Sequence, residues 1–328
     1  MNIKKTDILL AAIRDGKPIT GSEKLNLIIG LSIPSILAQM TSVMMFFIDA
    51  SMVGRLGAQA SASIGLVESS TWLFGSITSA ASMGFSVQVA HFIGANDFFK
   101  ARQVFRHALI ATTILSLLMT IAASAIAFPL PYWLGGGADI AHDASLYFLI
   151  FALAGPFFML LNLSEAMLKC SGNMRIPSIV SVLMCVLDVI FNYIFIFIAG
   201  LGVVGAALGT AVAIIIGAGV GSYFAIFRNK ILALRLDHVR FQMIGDYIRN
   251  AFKIGGPMAM QSVLMGGAQI VSTIIVAPLG NFAIAANTFA ITAESLCYMP
   301  GFGIGDAATT LVGHSNGAGR YDLCRNFA

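Results

Sequence analysis

Residues Cys185–Thr210 read CVLDVIFNYIFIFIAGLGVVGAALGT. The stretch is almost wholly apolar, yet it carries Asp188, Asn192 and Thr210. Asp188 and Asn192 are four apart, so on a helix they lie one turn apart on one face. The Gly200–Gly205 glycines make a turn, and a second apolar helix brings Thr210 back beside them. Three oxygen-bearing side chains then converge at a depth where polar groups are costly. The rest of the chain is expected to supply a fourth, Asp49, and a path around it.

The surrounding composition sets the class. Of 328 residues, 58% are hydrophobic and 10% charged, where a soluble chain has about a quarter charged. Apolar blocks of roughly 20 residues or more, enough to cross about 30 Å of hydrocarbon, recur at about 25–54, 61–90, 102–127, 140–168, 174–198, 203–227, 248–277 and 283–312. The fold expected is an all-α polytopic membrane protein. The N-terminus does not read as a signal peptide, because its apolar run Ile8–Ile13 is short and bracketed by Asp7 and Arg14. Cys170, Cys185, Cys297 and Cys324 have neither zinc-type nor CxxC spacing and read as reduced thiols. The net charge of +4 is spread over loops, which argues against a nucleic-acid partner.

Eighteen of the nineteen Lys and Arg residues fall in the tail, in even-numbered loops or after the last span; only Arg55 lies in an odd-numbered loop. That bias puts the N-terminus in the cytoplasm of a cell (inner or plasma) membrane, with Trp133 as an outer interface anchor. The organisation expected is a tail (1–24), a first lobe of six spans (25–228), a basic linker (229–247) and the start of a second lobe (248–328). A shift of 223 residues superposes landmarks without a gap: Pro34 on Pro257, Leu56-Gly57 on Leu279-Gly280, His91 on His314, Gly94-Ala95 on Gly317-Ala318 and Arg102 on Arg325. Six spans per repeat leave both copies parallel. The second copy stops at Ala328, equivalent to Phe105, so the chain reads as truncated by about four helices.

Pro34 with IDASMVGRLGA (Ile48–Ala58), HFIGA (His91–Ala95), GLGVVGAALGT (Gly200–Thr210) and LVGHSNGAG (Leu311–Gly319) resemble the multidrug and toxic compound extrusion (MATE) transporters. The resemblance runs from about residue 25 to the end. It implies two six-helix lobes flanking a cavity, and export of cationic or amphipathic compounds in exchange for protons or sodium. In one branch it implies a coupling-ion site in the first lobe. The first-helix aspartate there matches Asp49, the fourth-helix asparagine Asn162, the fifth-helix pair Asp188 and Asn192, and the sixth-helix threonine Thr210. That branch often has Asn before Asp in the fifth helix; here the order is reversed. Another branch has an acid in helix seven, where this chain has Ser272 at the repeat-equivalent of Asp49.

The residues themselves point the same way. Two carboxylates together in a bilayer cannot both be charged cheaply unless a cation sits between them. Carboxylates, an amide and a hydroxyl are hard oxygen ligands, suited to sodium at Asp49, Asp188 and Asn192 or to proton exchange; no other cofactor is implied. The competing reading is a polar network that only locks helices together. Glu68, Glu294 and Trp72 are candidates for a cavity that meets a cationic substrate, with interfacial acids as the plainer alternative. Glu165 and Lys169 read as an i,i+4 ion pair, His91 and His314 as helix caps, and Pro34 as a bend in the first span. The partners expected are small cations and the lipid bilayer, with a single copy of the chain as the unit.

Four other readings compete. Gly200-Leu-Gly202-Val-Val-Gly205 has the GxGxxG form, but a dinucleotide site needs a preceding strand and an acid about 20 residues on, and no acid occurs between 189 and 236. Gly303-Ile304-Gly305-Asp306 has the GxGD form of intramembrane aspartyl proteases, with Asp49 as nominal partner. A lipid-linked oligosaccharide flippase of related architecture should line its cavity with basic residues. A non-transporting membrane fragment is the fourth.

Overall fold

The computed structural model describes residues 3–236 and 243–328; the first two residues of the tail and part of the basic linker, with Arg240, lie outside them. Among these residues there is no strand. Helix α1 (Ile3–Arg14) occupies what reads as a tail. Its Leu9, Leu10 and Ile13 recur at helical spacing and are buried against Leu31, Met174, Leu311 and Phe327. Helix α2 (Gly21–Gly54) starts with a capping box: Thr20 N–H donates to the Glu23 carboxylate at 2.9 Å, and Thr20 Oγ1 accepts the Glu23 N–H at 3.4 Å. It runs unbroken through Pro34, whose ring removes one turn's hydrogen bond.

Helix α3 (Ala58–Gly94) is followed by α4 (Phe98–Ile126), capped by the Asp97 side chain, which accepts the Lys100 N–H at 3.0 Å. The short α5 (Leu130–Trp133) leads to α6 (Ala138–Cys170). Helix α7 (Arg175–Tyr193) continues as a π-helical turn, Ile194–Ile198, and α8 (Gly202–Tyr223) ends in another, Phe224–Arg228. Then come α9 (Gly245–Val276), α10 (Asn281–Gly317) and α11 (Tyr321–Phe327).

Helix α3 is central, packed against α4, α6, α9 and α10, while α2 lies against α7 and α10. Short connections alternate between two ends. At one end, Asn96 Nδ2 donates to Arg14 O, Asn229 Nδ2 to Ser171 Oγ, and Arg320 to Lys17 O. This is the α1 end. At the far end, Gln59 Nε2 and Asn281 Nδ2 both donate to Asp139. Arg55 lies at the far end, where Trp133 is also exposed.

Among the described residues, six helices are long and apolar enough to cross a membrane: Gly21–Gly54, Phe98–Ile126, Ala138–Cys170, Arg175–Ile198, Gly202–Arg228 and Gly245–Leu279. The other two expected spans, 61–90 and 283–312, coincide with α3 and α10. At 37 residues each they have length to spare, about 55 Å at 1.5 Å per residue, but are more polar. In α3, Ser61, Ser63, Ser69, Ser70, Ser82 and Ser86 are buried against neighbouring helices, so the helix does not need an apolar surface all round. Moved by 223 residues, the bounds of α3 fall on those of α10. Gly57 and Gly280, which precede them, have φ of 109° and 97°. The closing N–H of Ala95 donates to the His91 carbonyl and that of Ala318 to the His314 carbonyl, each at 3.0 Å.

Candidate functional site

Helix α2 carries Asp49 within two turns of its end at Gly54, and α7 carries Asp188 and Asn192 within about three turns of Ile198, where its π-helical continuation ends. Gly200 and Gly202, with φ of 69° and 55°, reverse the chain, and α8 returns with Thr210 in its third turn. The GxGxxG sequence is thus a turn between two helices, with no strand before it. A Cβ on Gly205 would lie 2.8 Å from the Phe195 carbonyl carbon, so this glycine serves helix contact and not a phosphate.

Asn192 Nδ2 donates to Asp49 Oδ1 at 2.7 Å and to Asp188 Oδ2 at 3.1 Å. Asp49 and Thr210 both lie close to the Asp188 carboxyl group. Two carboxyls that share a buried site do so at least cost when one holds a proton or a cation lies between them. Asp188 and Asn192 are fully buried, and Asp188 Oδ1 and Asn192 Oδ1 have no partner. Two orphaned oxygens beside a carboxylate pair fit a proton or a small hard cation. Among the described residues no group of three or more His, Cys, Asp or Glu side chains is assembled for a metal, so the donor set is not of the zinc type.

Sequence reasoning missed Gly209. A Cβ there would collide with Asn192 Oδ1 and lie 2.8 Å from Asn192 N. The glycine lets α7 and α8 approach closely enough to hold Asn192 between the acids. The signal was in the run Gly205, Gly209, Ala213, Gly217, a small residue every four, which marks close helix packing in membranes.

Asn162 stands elsewhere. It donates to Thr78 Oγ1 at 3.3 Å and to Phe158 O at 3.1 Å, tying α6 to α3. Glu68 and Trp72 of α3 share an enclosed cavity of about 40 Å³ with Phe46, Gln269, Ile291, Ser295 and Tyr298. The Phe46 and Trp72 rings are 5.0 Å apart, and Trp72 lies one turn from Glu68 on the same face of α3. Glu294 is exposed and does not line this cavity. A wider apolar groove of about 510 Å³ runs between α2 and α7, but no acid lines it.

Glu165 and Lys169 do form the i,i+4 pair, at 3.7 Å. Lys169 has a shorter partner in Asp306, at 3.0 Å. That pairing, with Asp49 held by Asn192, removes the aspartyl-protease reading, which needs Asp306 facing Asp49. His314 does not cap its own helix. Its Nε2–H donates to Cys170 O at 2.8 Å, at the end of α6.

The long apolar helices define a multi-pass membrane protein, with a buried acid–amide cluster between the first, fifth and sixth of them. The MatE family model matches residues 34–194 and 257–328. The chain is 26% identical over 296 residues to the probable multidrug resistance protein NorM of Thermotoga maritima, covering 89% of this chain and 63% of that one. It is 23% identical over 303 residues to a FAD transporter of Shewanella oneidensis, covering 89% and 65%. An outward-facing structure of a multidrug resistance MATE family transporter of the MOP superfamily superposes with a TM-score of 0.84 at 21% identity, covering 97% of this chain and 69% of that one. The chain belongs to the MatE family and is a multi-pass membrane protein. It spans just under two thirds of the length of these curated relatives.

Proposed function

We propose that the protein is a cation-coupled antiporter that exports cationic or amphipathic small molecules, with a proton or sodium ion bound at Asp49, Asp188, Asn192 and Thr210. The observation that carries this reading is the Asn192 amide bridging two buried carboxyl groups while Asp188 Oδ1 and Asn192 Oδ1 stay unpartnered. A purely structural network would be expected to satisfy those oxygens. Asn162 acts in this reading through the α3–α6 contact and not as a direct ligand. Helices α2–α8 form a first parallel lobe and α9–α10 open the second. The α1 end, rich in Lys and Arg, faces the cytoplasm of a cell membrane, and one copy of the chain is the working unit.

An ion entering from the far end neutralises the Asp49–Asp188 pair. Helix α2 then bends at the turn weakened by Pro34, and the cavity releases its cation outward. Loss of the ion to the α1 end restores the charged pair and the loading state. Coupling requires that the ion and the cargo prefer different conformations. Glu68, walled by Phe46, Trp72 and Tyr298, supplies a carboxylate and aromatic faces for an ammonium group. An anionic cargo, as the name of the Shewanella relative suggests for that protein, would need basic side chains, and this cavity has none among its lining residues. The test is efflux of a lipophilic cation from vesicles under an imposed proton or sodium gradient. Gradient-driven efflux that Asp49→Asn abolishes supports the antiporter; efflux indifferent to both gradients removes it.

A further inference from the structure

Lys169 stands between acids on two helices. Its Nζ lies 3.0 Å from Asp306 Oδ2 on α10 and 3.7 Å from Glu165 Oε2, one turn back on α6. The three side chains are 16%, 17% and 18% exposed. Asp306 Oδ2 also accepts from Ser35 Oγ at 2.9 Å and Gln39 Nε2 at 3.4 Å, both on α2. Every side-chain partner of this carboxylate therefore comes from α2 or α6, across the junction between α2–α8 and α9–α11. Beside it, Thr310 Oγ1 donates to Lys169 O at 3.1 Å.

The charges do not balance one to one: two carboxylates share one ammonium. If α10 moved away from α6 at this end, a lysine with a single partner would be left unpaired at low dielectric, which is costly. Glu165 moves with Lys169 on the same helix, so the ammonium keeps a partner whichever way α10 lies. The arrangement gives Lys169 two resting positions.

We propose that Lys169 is the movable half of a latch at the α1 end, paired with Asp306 when that end is closed and with Glu165 alone when it is open. The latch rests on the two-state transport reading above. It assigns Glu165 the opposite role to Asp306: Asp306 favours the closed state and Glu165 the open one. A static ion-pair cluster would give both acids the same role.

Cys170, buried beside Lys169, reports the difference. With Cys185, Cys297 and Cys324 replaced by Ser, it is the single thiol, and its rate of reaction with N-ethylmaleimide in membrane vesicles follows the open population. Asp306→Asn should raise that rate by about tenfold or more, and Glu165→Gln should lower it severalfold, as expected when one removes a closed-state contact and the other an open-state contact. The exchange of Lys169→Asp with Asp306→Lys again sets one ammonium against two carboxylates and should return the rate toward the parent's, which a misfolded Asp306→Asn variant could not explain. Rates that rise in both single variants, or that move in neither, overturn the latch. Opposite shifts without gradient-driven efflux would keep the latch and remove the antiporter.

Discussion

Asn192 joins Asp49 to its own helix: its Nδ2 lies 2.7 Å from Asp49 Oδ1, across 143 residues of sequence. The same nitrogen holds Asp188, so one amide sets the spacing of two carboxyl groups that would otherwise repel. The account of coupling follows from that geometry, since whatever neutralises the acids also changes what the amide holds together.

Gly209 makes the geometry testable from the neighbouring helix. Gly209→Ala forces Asn192 off its position. It should destabilise the protein by about 1–3 kcal/mol, the usual cost of overpacking, and weaken coupling. Gly219, on the same helix, has nothing within 4 Å of where its Cβ would stand. Gly219→Ala should therefore hold or slightly raise the melting temperature. Thermal unfolding of the two variants in detergent, followed by efflux assays, checks both; equal effects would show that the tight contact is not what matters.

Glu68 should govern cargo and not coupling. Glu68→Gln removes the charge from the aromatic-walled cavity. It should raise the KM for a lipophilic cation by about tenfold, within the range for losing one buried charged contact, while the dependence on the ion gradient persists. Glu294→Gln, at an exposed position, should change neither. Initial efflux rates against cargo concentration separate the two.

Much of this was legible in the sequence, and the failures have physical reasons. Apolar block length located the long helices, and the landmarks shared at a shift of 223 residues located the matching bounds of α3 and α10. Asp188, Asn192 and Thr210 were readable because helical spacing and one glycine turn are local. Lys169–Asp306 was not, because its partners are 137 residues apart and the nearby Glu165 already offered a local explanation. Asn162 was placed by likeness of position, which does not say which neighbour a side chain reaches; its amide reaches Thr78. The α1 helix was hidden by its charges, although Leu9 and Ile13 stand one turn apart on an inward face.

The orientation of the bundle carries its own test. Asp139 and Asn281 meet at the far end, 2.8 Å apart, and Lys230 lies by the connections at the α1 end. Single cysteines at 139 and 281 should react with an impermeant thiol reagent from outside intact cells, and one at 230 only after permeabilisation. Labelling of 139 from the cytoplasmic side would reverse the assignment of the ends.

The most direct test of the central claim is equilibrium binding of a fluorescent lipophilic cation to the purified protein as a function of pH and of sodium concentration. If the Asp49–Asp188 cluster takes the coupling ion, the parent's affinity for the dye should fall on acidification or on adding sodium, because ion and cargo favour different conformations. Asp49→Asn and Asp188→Asn should each flatten that dependence while the protein stays folded. Dye affinity that falls as steeply in both variants as in the parent would contradict the account and move the coupling site away from Asn192 and its two acids.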